Sequence, residues 1–186
     1  MARLTSFTFI SLNGYYKGYL EDISWHQHGE EEARFSLKSL KSGNTLVFGR
    51  KTFEMMQSFW TSEMAHNSFP EIAGLMNDAR KIVVSKVMNE SSWNNTEFIN
   101  KNLLDQIRSM KESSKNDLTI LGSGSLIKQL THARLIDEYQ IMLDPIFIKN
   151  GYPMLNNLSK NLELRLSSSE VFDSGIILMT YQLKDK

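Results

Sequence analysis

The sequence predicts a layered α/β fold: a largely parallel sheet covered on both faces and extended by an antiparallel edge. Two observations carry this. Strand-like and helix-like segments alternate up to about residue 143. Beyond that point strand-like runs follow one another, and Asp173-Ser174-Gly175 separates the last two as a hairpin turn does.

The order is legible element by element. Residues 4–12 are rich in Phe, Ile and Thr and read as a buried strand that stops at the turn Asn13-Gly14. An aromatic, glycine-containing loop follows through Tyr15, Tyr16, Gly18 and Tyr19. Over 29–40 the period becomes helical, with Glu30, Ala33, Leu37 and Leu40 on one face. Gly43-Asn44 breaks the chain before a short strand, 45–48. Gly49 ends that strand, and 50–58 read as a helix. Met55, Met56, Phe59 and Trp60 are expected to pack in the core. Residues 61–68 read as loop, 71–79 as helix, 81–84 as strand, and the Asn/Ser-rich stretch 89–96 as exposed. Leu103, Leu104, Ile107 and Met110 mark a further helix, 118–121 a strand, and Leu126, Ile127 and Leu130 another helix. Tyr139, Ile141 and Leu143 alternate with polar positions as a strand should, and so do Leu162, Leu164 and Leu166.

Composition narrows the function classes. A chain of 186 residues, 41% hydrophobic and 23% charged, suits one soluble domain with a core of its own. Without cysteine, no disulfide framework, thiol nucleophile or thiolate zinc site is available. The 21 basic residues balance 21 acidic ones, which gives no bulk attraction for nucleic acid. Polar residues interrupt the first apolar run, so it lacks a signal-peptide core, and no run is long enough to span a bilayer. A cytoplasmic protein is the expectation.

Chemistry concentrates at two strand-to-helix junctions. In TLVFGRKTFE, Gly49 permits a tight turn, and a helix start offers free N–H groups and a positive dipole end to an anion. Arg50, Lys51 and the Thr52 hydroxyl add donors suited to phosphate. The plainer reading, a turn followed by solvated basic residues, fits this stretch equally well when it is taken alone. In LTILGSGSLIKQL, Gly122 and Gly124 flank Ser123 at a second helix start, where backbone can approach a pyrophosphate closely. Two such junctions in one parallel sheet point to a dinucleotide. The dinucleotide fingerprint G-x-G-x-x-G is not satisfied, because position 127 is Ile, and no Gly-Lys-Ser/Thr follows to make a P-loop.

The succession of SLNG, FGRKTFE, IVVSK, LGSGSL and DEYQIMLDPIFIKNGYPML, closed by the hairpin, resembles the dihydrofolate-reductase-like superfamily. Within it, the chain looks most like the C-terminal reductase domain of the bifunctional riboflavin-biosynthesis deaminase/reductase and its standalone relatives, over essentially its whole length. That resemblance implies a three-layer α/β/α fold and an NADPH site. Arg50, Lys51 and Thr52, following Gly49, would meet the adenosine 2′-phosphate and neighbouring phosphates, and Ser85 and Lys86 would flank the adenosine end. Gly122, Ser123, Gly124, Ser125 and Leu126 would cradle the pyrophosphate, and Ile10 and Ser11 would lie against the nicotinamide. One departure stands out: relatives commonly carry Asp where this chain has Asn13.

The same resemblance places the substrate near Trp25, His26, His28 and Glu30. Glu30 is the candidate proton donor, directed inward with a raised pKa; with Glu31 and Glu32 it is equally suited to stabilising a helix N-terminus. His26 and His28 lack an evident third metal ligand, so no metal site is expected. The expected activity is NADPH-dependent reduction of a small pyrimidine- or pterin-like ring. A non-catalytic nucleotide-binding module and a standalone riboflavin-pathway reductase are the alternatives. A homodimer paired through the closing strands is expected, because that edge would otherwise be exposed.

Overall fold

The β-branched and aromatic runs read from the sequence become the inner strands of one twisted sheet. The computed structural model describes residues 1–156 and 158–184. The chain runs β1 (Leu4–Ser11), β2 (Tyr15–Gly18), a 3-10 turn (Tyr19–Glu21), α1 (Glu30–Lys41), β3 (Thr45–Gly49), α2 (Arg50–Trp60), α3 (Glu63–Ser68), α4 (Pro70–Asp78) and β4 (Lys81–Val84). It continues with β5 (Thr96–Ile99), α5 (Leu103–Ser113), β6 (Leu118–Leu121), α6 (Gly124–His132), β7 (Glu138–Asp144), β8 (Gly151–Pro153), β9 (Leu164–Val171) and β10 (Ile177–Leu183).

Eight strands form the main sheet in the order β5-β4-β3-β6-β1-β7-β10-β9. From β5 to β7 all neighbours are parallel. β10 runs antiparallel to β7 and pairs with β9 through the expected hairpin, whose Gly175 has φ +84. Crossovers are right-handed, so the direction of each step decides which face its helix covers. The steps from β1 to β3 and from β3 to β4 go one way, and α1 packs beside α4. The steps into β6 and β7 go the other way and send α5 and α6 to the opposite face. Alternate residues of the same strands separate accordingly. Val47, Ile82 and Ile120 meet Ile107, Ile127 and Leu130 of α5 and α6. Leu46, Phe48 and Val83 meet Phe53 and Met76 of α2 and α4. Phe7, Phe9 and Met142 pack with Phe35 of α1.

Several local expectations are corrected. Residues 61–68 hold α3, started by the Ser62 hydroxyl, which accepts from the Ala65 N–H. Within 89–96, Trp93 is buried, its indole N–H donating to Asn77 at 2.6 Å, and Thr96 opens β5. Met55 and Phe59 lie on the surface, whereas Met56 and Trp60 pack on the core. Leu162 precedes β9 rather than belonging to it. In β7 the supposedly outward phase is covered too, so Met142 and Asp144 are buried. The small β2–β8 sheet joins segments more than 130 residues apart and has no signature in either one. Among the described residues no helix is long and apolar enough to cross a membrane.

Candidate functional site

β3 and β6 are neighbours, yet the connections leaving them travel in opposite directions along the sheet. Their carboxyl ends therefore bound a crevice at a topological switch point, where open α/β sheets take up ligands. α2 and α6 both begin there, and neither start is capped by a side chain. The two junctions are tied together: the Gly49 N–H donates to Ser123 Oγ at 2.7 Å, and Ser123 Oγ donates to Thr52 Oγ1 at 2.9 Å. A Cβ on Gly49 would stand 2.6 Å from Ser123 Oγ, so only glycine allows this approach. Gly122 and Ser123 both have positive φ, +59 and 62, and this turn aims the start of α6.

The helix termini differ in charge. α1, α3, α4 and α5 each carry an acidic residue in the first turn, which suits the dipole. α2 and α6 carry none, and α2 opens with Arg50-Lys51, against the dipole. An anion at this edge would reverse that unfavourable arrangement. Arg50 meanwhile pairs with Glu54 at 2.8 Å, and Lys51 with Glu21 at 2.8 Å, both on the surface. Exposed pairs of this kind contribute about 0.2–1 kcal/mol, little for a phosphate to displace. Glu21 also accepts from Lys17, and its carboxyl is held below the usual range by these two lysines, Lys51 first.

The remaining expected cofactor residues fall along the same edge. Gly124 is buried, and a Cβ there would lie 2.6 Å from the Tyr16 ring, which leans over the turn from β2. Ser125 is exposed in the first turn of α6, and Leu126 faces the core. Ser85 follows β4, its hydroxyl accepting from the Val87 and Met88 N–H groups in a local turn, and Lys86 beside it is exposed. Ile10 is half-buried at the end of β1. Ser11 is fully buried and donates to Asn13 Oδ1 at 2.8 Å. The Asn13 amide donates to the Ile148 carbonyl and its oxygen accepts the Ile148 N–H, a two-way clamp that a carboxylate could not complete.

On the substrate side the geometry departs from expectation. Glu30 is exposed at the start of α1 and does not point inward. The buried acid of that turn is Glu32, which accepts from the Gly29 N–H and the Ser174 hydroxyl. His26 is 6% exposed and stacks flat on Phe9, with ring centroids 4.0 Å apart. Its Nδ1 meets Asp144, fully buried, at 2.9 and 3.0 Å from the two carboxylate oxygens. The Gln27 N–H donates to the same carboxylate at 3.2 Å. Asp144 stands beside Ser11 in the β1–β7 register. His28 packs edge-on against His26 at the rim, and desolvation followed by the His26 charge lowers its pKa. Among the described residues no cluster of His, Asp and Glu could hold a metal ion. Asp144 escaped the sequence reading, although an acid at the end of a strand covered on both faces was the available signal.

A surface depression lined by Arg3, Asp137, Glu138, Arg165 and Gln182 lies at the opposite end of the parallel strands. It adjoins the amino ends of β1 and β7, away from the helix starts, and is not the candidate site.

Comparison with known proteins agrees with this architecture. The chain is 23% identical over 172 residues to YyaP of Bacillus subtilis (strain 168), covering 92% of this chain and 90% of that protein. Among solved structures, a Shewanella sp. PV-4 protein provisionally assigned to riboflavin biosynthesis superposes with a TM-score of 0.78 at 24% identity, covering 99% of both chains. Dihydrofolate reductase from Enterococcus faecalis, complexed with NADP(H), gives 0.66 at 17% identity, covering 98% and 97%. The Thermotoga maritima diaminohydroxyphosphoribosylaminopyrimidine deaminase/5-amino-6-(5-phosphoribosylamino)uracil reductase gives 0.69 at 12%, with 98% of this chain on 56% of that one. At these identities the structures establish a shared dihydrofolate-reductase-like fold. The RibD C-terminal domain family matches residues 2–178, and the chain belongs to that family.

Proposed function

We propose that this chain is an NADPH-dependent reductase of a small pyrimidine- or pterin-like ring. One observation carries the reading: the two helices with no acid in their first turn, α2 and α6, both start at the switch-point crevice. Family membership and the reductases among its structural neighbours support an oxidoreductase. The residues suit the dinucleotide. Arg50, Lys51 and Thr52 would receive the 2′-phosphate, the uncapped N–H groups of residues 122–126 the pyrophosphate, Ser85 and Lys86 the adenosine end, and Ile10 and Ser11 the nicotinamide. When bound, the reduced cofactor supplies the hydride; the protein aligns the ring and excludes water.

The test is NADPH consumption with 7,8-dihydropterin, which carries a reducible ring C=N bond, as the probe ring. Saturable, ring-dependent oxidation is expected, and failure of NADPH to bind at millimolar concentration overturns the reading. The outer edge of β9 is exposed, including Leu166 and Val171, which supports a two-fold dimer through this edge. Light scattering at the monomer mass of 21.4 kDa would contradict the dimer.

A further inference from the structure

We propose that His26 and Asp144 form a proton-delivery pair for the ring-reducing site, in which Asp144 holds Nδ1–H and His26 Nε2 gives a proton to a ring nitrogen of the substrate. This rests on the reductase reading and adds to it the acid that reading lacks, since Glu30 is directed away.

Four features of the molecule converge on it. Asp144 is fully buried, and its hydrogen bonds to His26 and the Gln27 N–H stabilise the carboxylate. A carboxylate in that position accepts and cannot donate, so it fixes the proton on Nδ1 and leaves Nε2 as the exchanging nitrogen. Nε2 has no hydrogen-bond partner among the described residues, yet it is not a sealed, unsatisfied atom, so it keeps access to solvent. The stacked Phe9 and the edge of His28 lock the ring orientation. The location is also suitable. Phe9 and Ser11 share one face of β1, Asp144 is the register partner of Ser11, and Ser11 belongs to the expected nicotinamide edge. The charged and titratable groups around His26 are Asp144 from β7 and His28 from the same loop, and Glu32 from α1 acts on His28 in turn.

The step balances. A ring C=N bond accepts a hydride at carbon from the reduced cofactor and a proton at nitrogen from His26 Nε2–H, which leaves a neutral imidazole that solvent reprotonates. Asp144 gains no proton and acts as a positioning residue.

Long-range proton–nitrogen NMR of the intact, histidine-labelled protein tests this. The neutral His26 should carry its proton on Nδ1. In NADPH-saturated protein, millimolar 7,8-dihydropterin should shift the Nε2 resonance. His26→Gln should lower kcat about 100-fold, abolish the acid-dependent limb of the pH profile, and leave NADPH affinity within about twofold. An Nε2–H tautomer, or an Nε2 resonance unmoved by the dihydropterin, overturns the pair while NADPH binding stands. Absence of NADPH binding to the wild type sinks the reductase reading instead, whatever the tautomer.

Discussion

The two halves of the candidate site are built in opposite ways. The cofactor half is local and wet: short stretches around Gly49 and Gly122–Gly124 contain most of its parts, and its charges, Arg50 and Lys51, sit in surface ion pairs. The substrate half is long-range and dry: His26 and Asp144 are 118 residues apart, and both are buried. Substitutions of the exposed charges in the first half should therefore change ligand affinity and spare stability, whereas those of the buried pair in the second should cost stability.

Gly124→Val is expected to have the largest effect, abolishing detectable NADPH binding, because the new side chain fills the approach to the turn and collides with Tyr16. The double variant with Tyr16→Ala relieves the collision and should recover thermal stability without recovering binding. Full recovery of binding would show that the turn needs glycine only because of Tyr16.

In the other half, Asp144→Ala leaves the His26 Nδ1–H and the Gln27 N–H without an acceptor in a closed corner. Leaving buried donors unsatisfied costs about 1–3 kcal/mol each, readable as a shifted urea midpoint. Loss of less than about 1 kcal/mol would place this pair in the same class as the surface salt bridges and dissolve the contrast.

A smaller effect concerns pH. His28 is exposed at the rim yet held below its ordinary 6.5, by desolvation against its neighbours first and by the His26 charge second. Near and below that pH the unfolded chain binds more protons at this position than the folded one does. The histidine therefore contributes stability above pH 6.5 that is lost as pH falls through the depressed folded value. His28→Gln should flatten the fall of unfolding free energy in this acid window. An unchanged slope would assign the acid sensitivity elsewhere.

The same contrast explains what could be read in advance. Sheet order, helix faces and the closing hairpin follow from apolar period and turn residues, which are local properties of the chain. The Gly49 and Gly122–Gly124 junctions were legible because turn, helix start and donors occur in one stretch. What joins them, Ser123 Oγ between Gly49 and Thr52, is a tertiary contact that neither stretch discloses. Glu30 was misplaced for a related reason. The helical period puts Glu30 in line with Ala33 and Leu37, but at the first turn the backbone N–H of Gly29 and the Ser174 hydroxyl draw Glu32 inward instead. Nothing near His26 in the chain indicates that the end of β7 will deliver Asp144 to it.

The dinucleotide crevice itself is tested most directly by fluorescence titration of the wild type and Arg50→Ala with NADPH and with NADH. A charge-assisted hydrogen bond to the 2′-phosphate corresponds to about 1.5–3 kcal/mol, or about 10–100-fold in affinity. The wild type should prefer NADPH by such a factor, and Arg50→Ala should erase the preference while leaving NADH affinity nearly unchanged. Equal affinity of the wild type for both dinucleotides, or an equal loss for both in Arg50→Ala, would contradict the assignment of the α2 start to the 2′-phosphate.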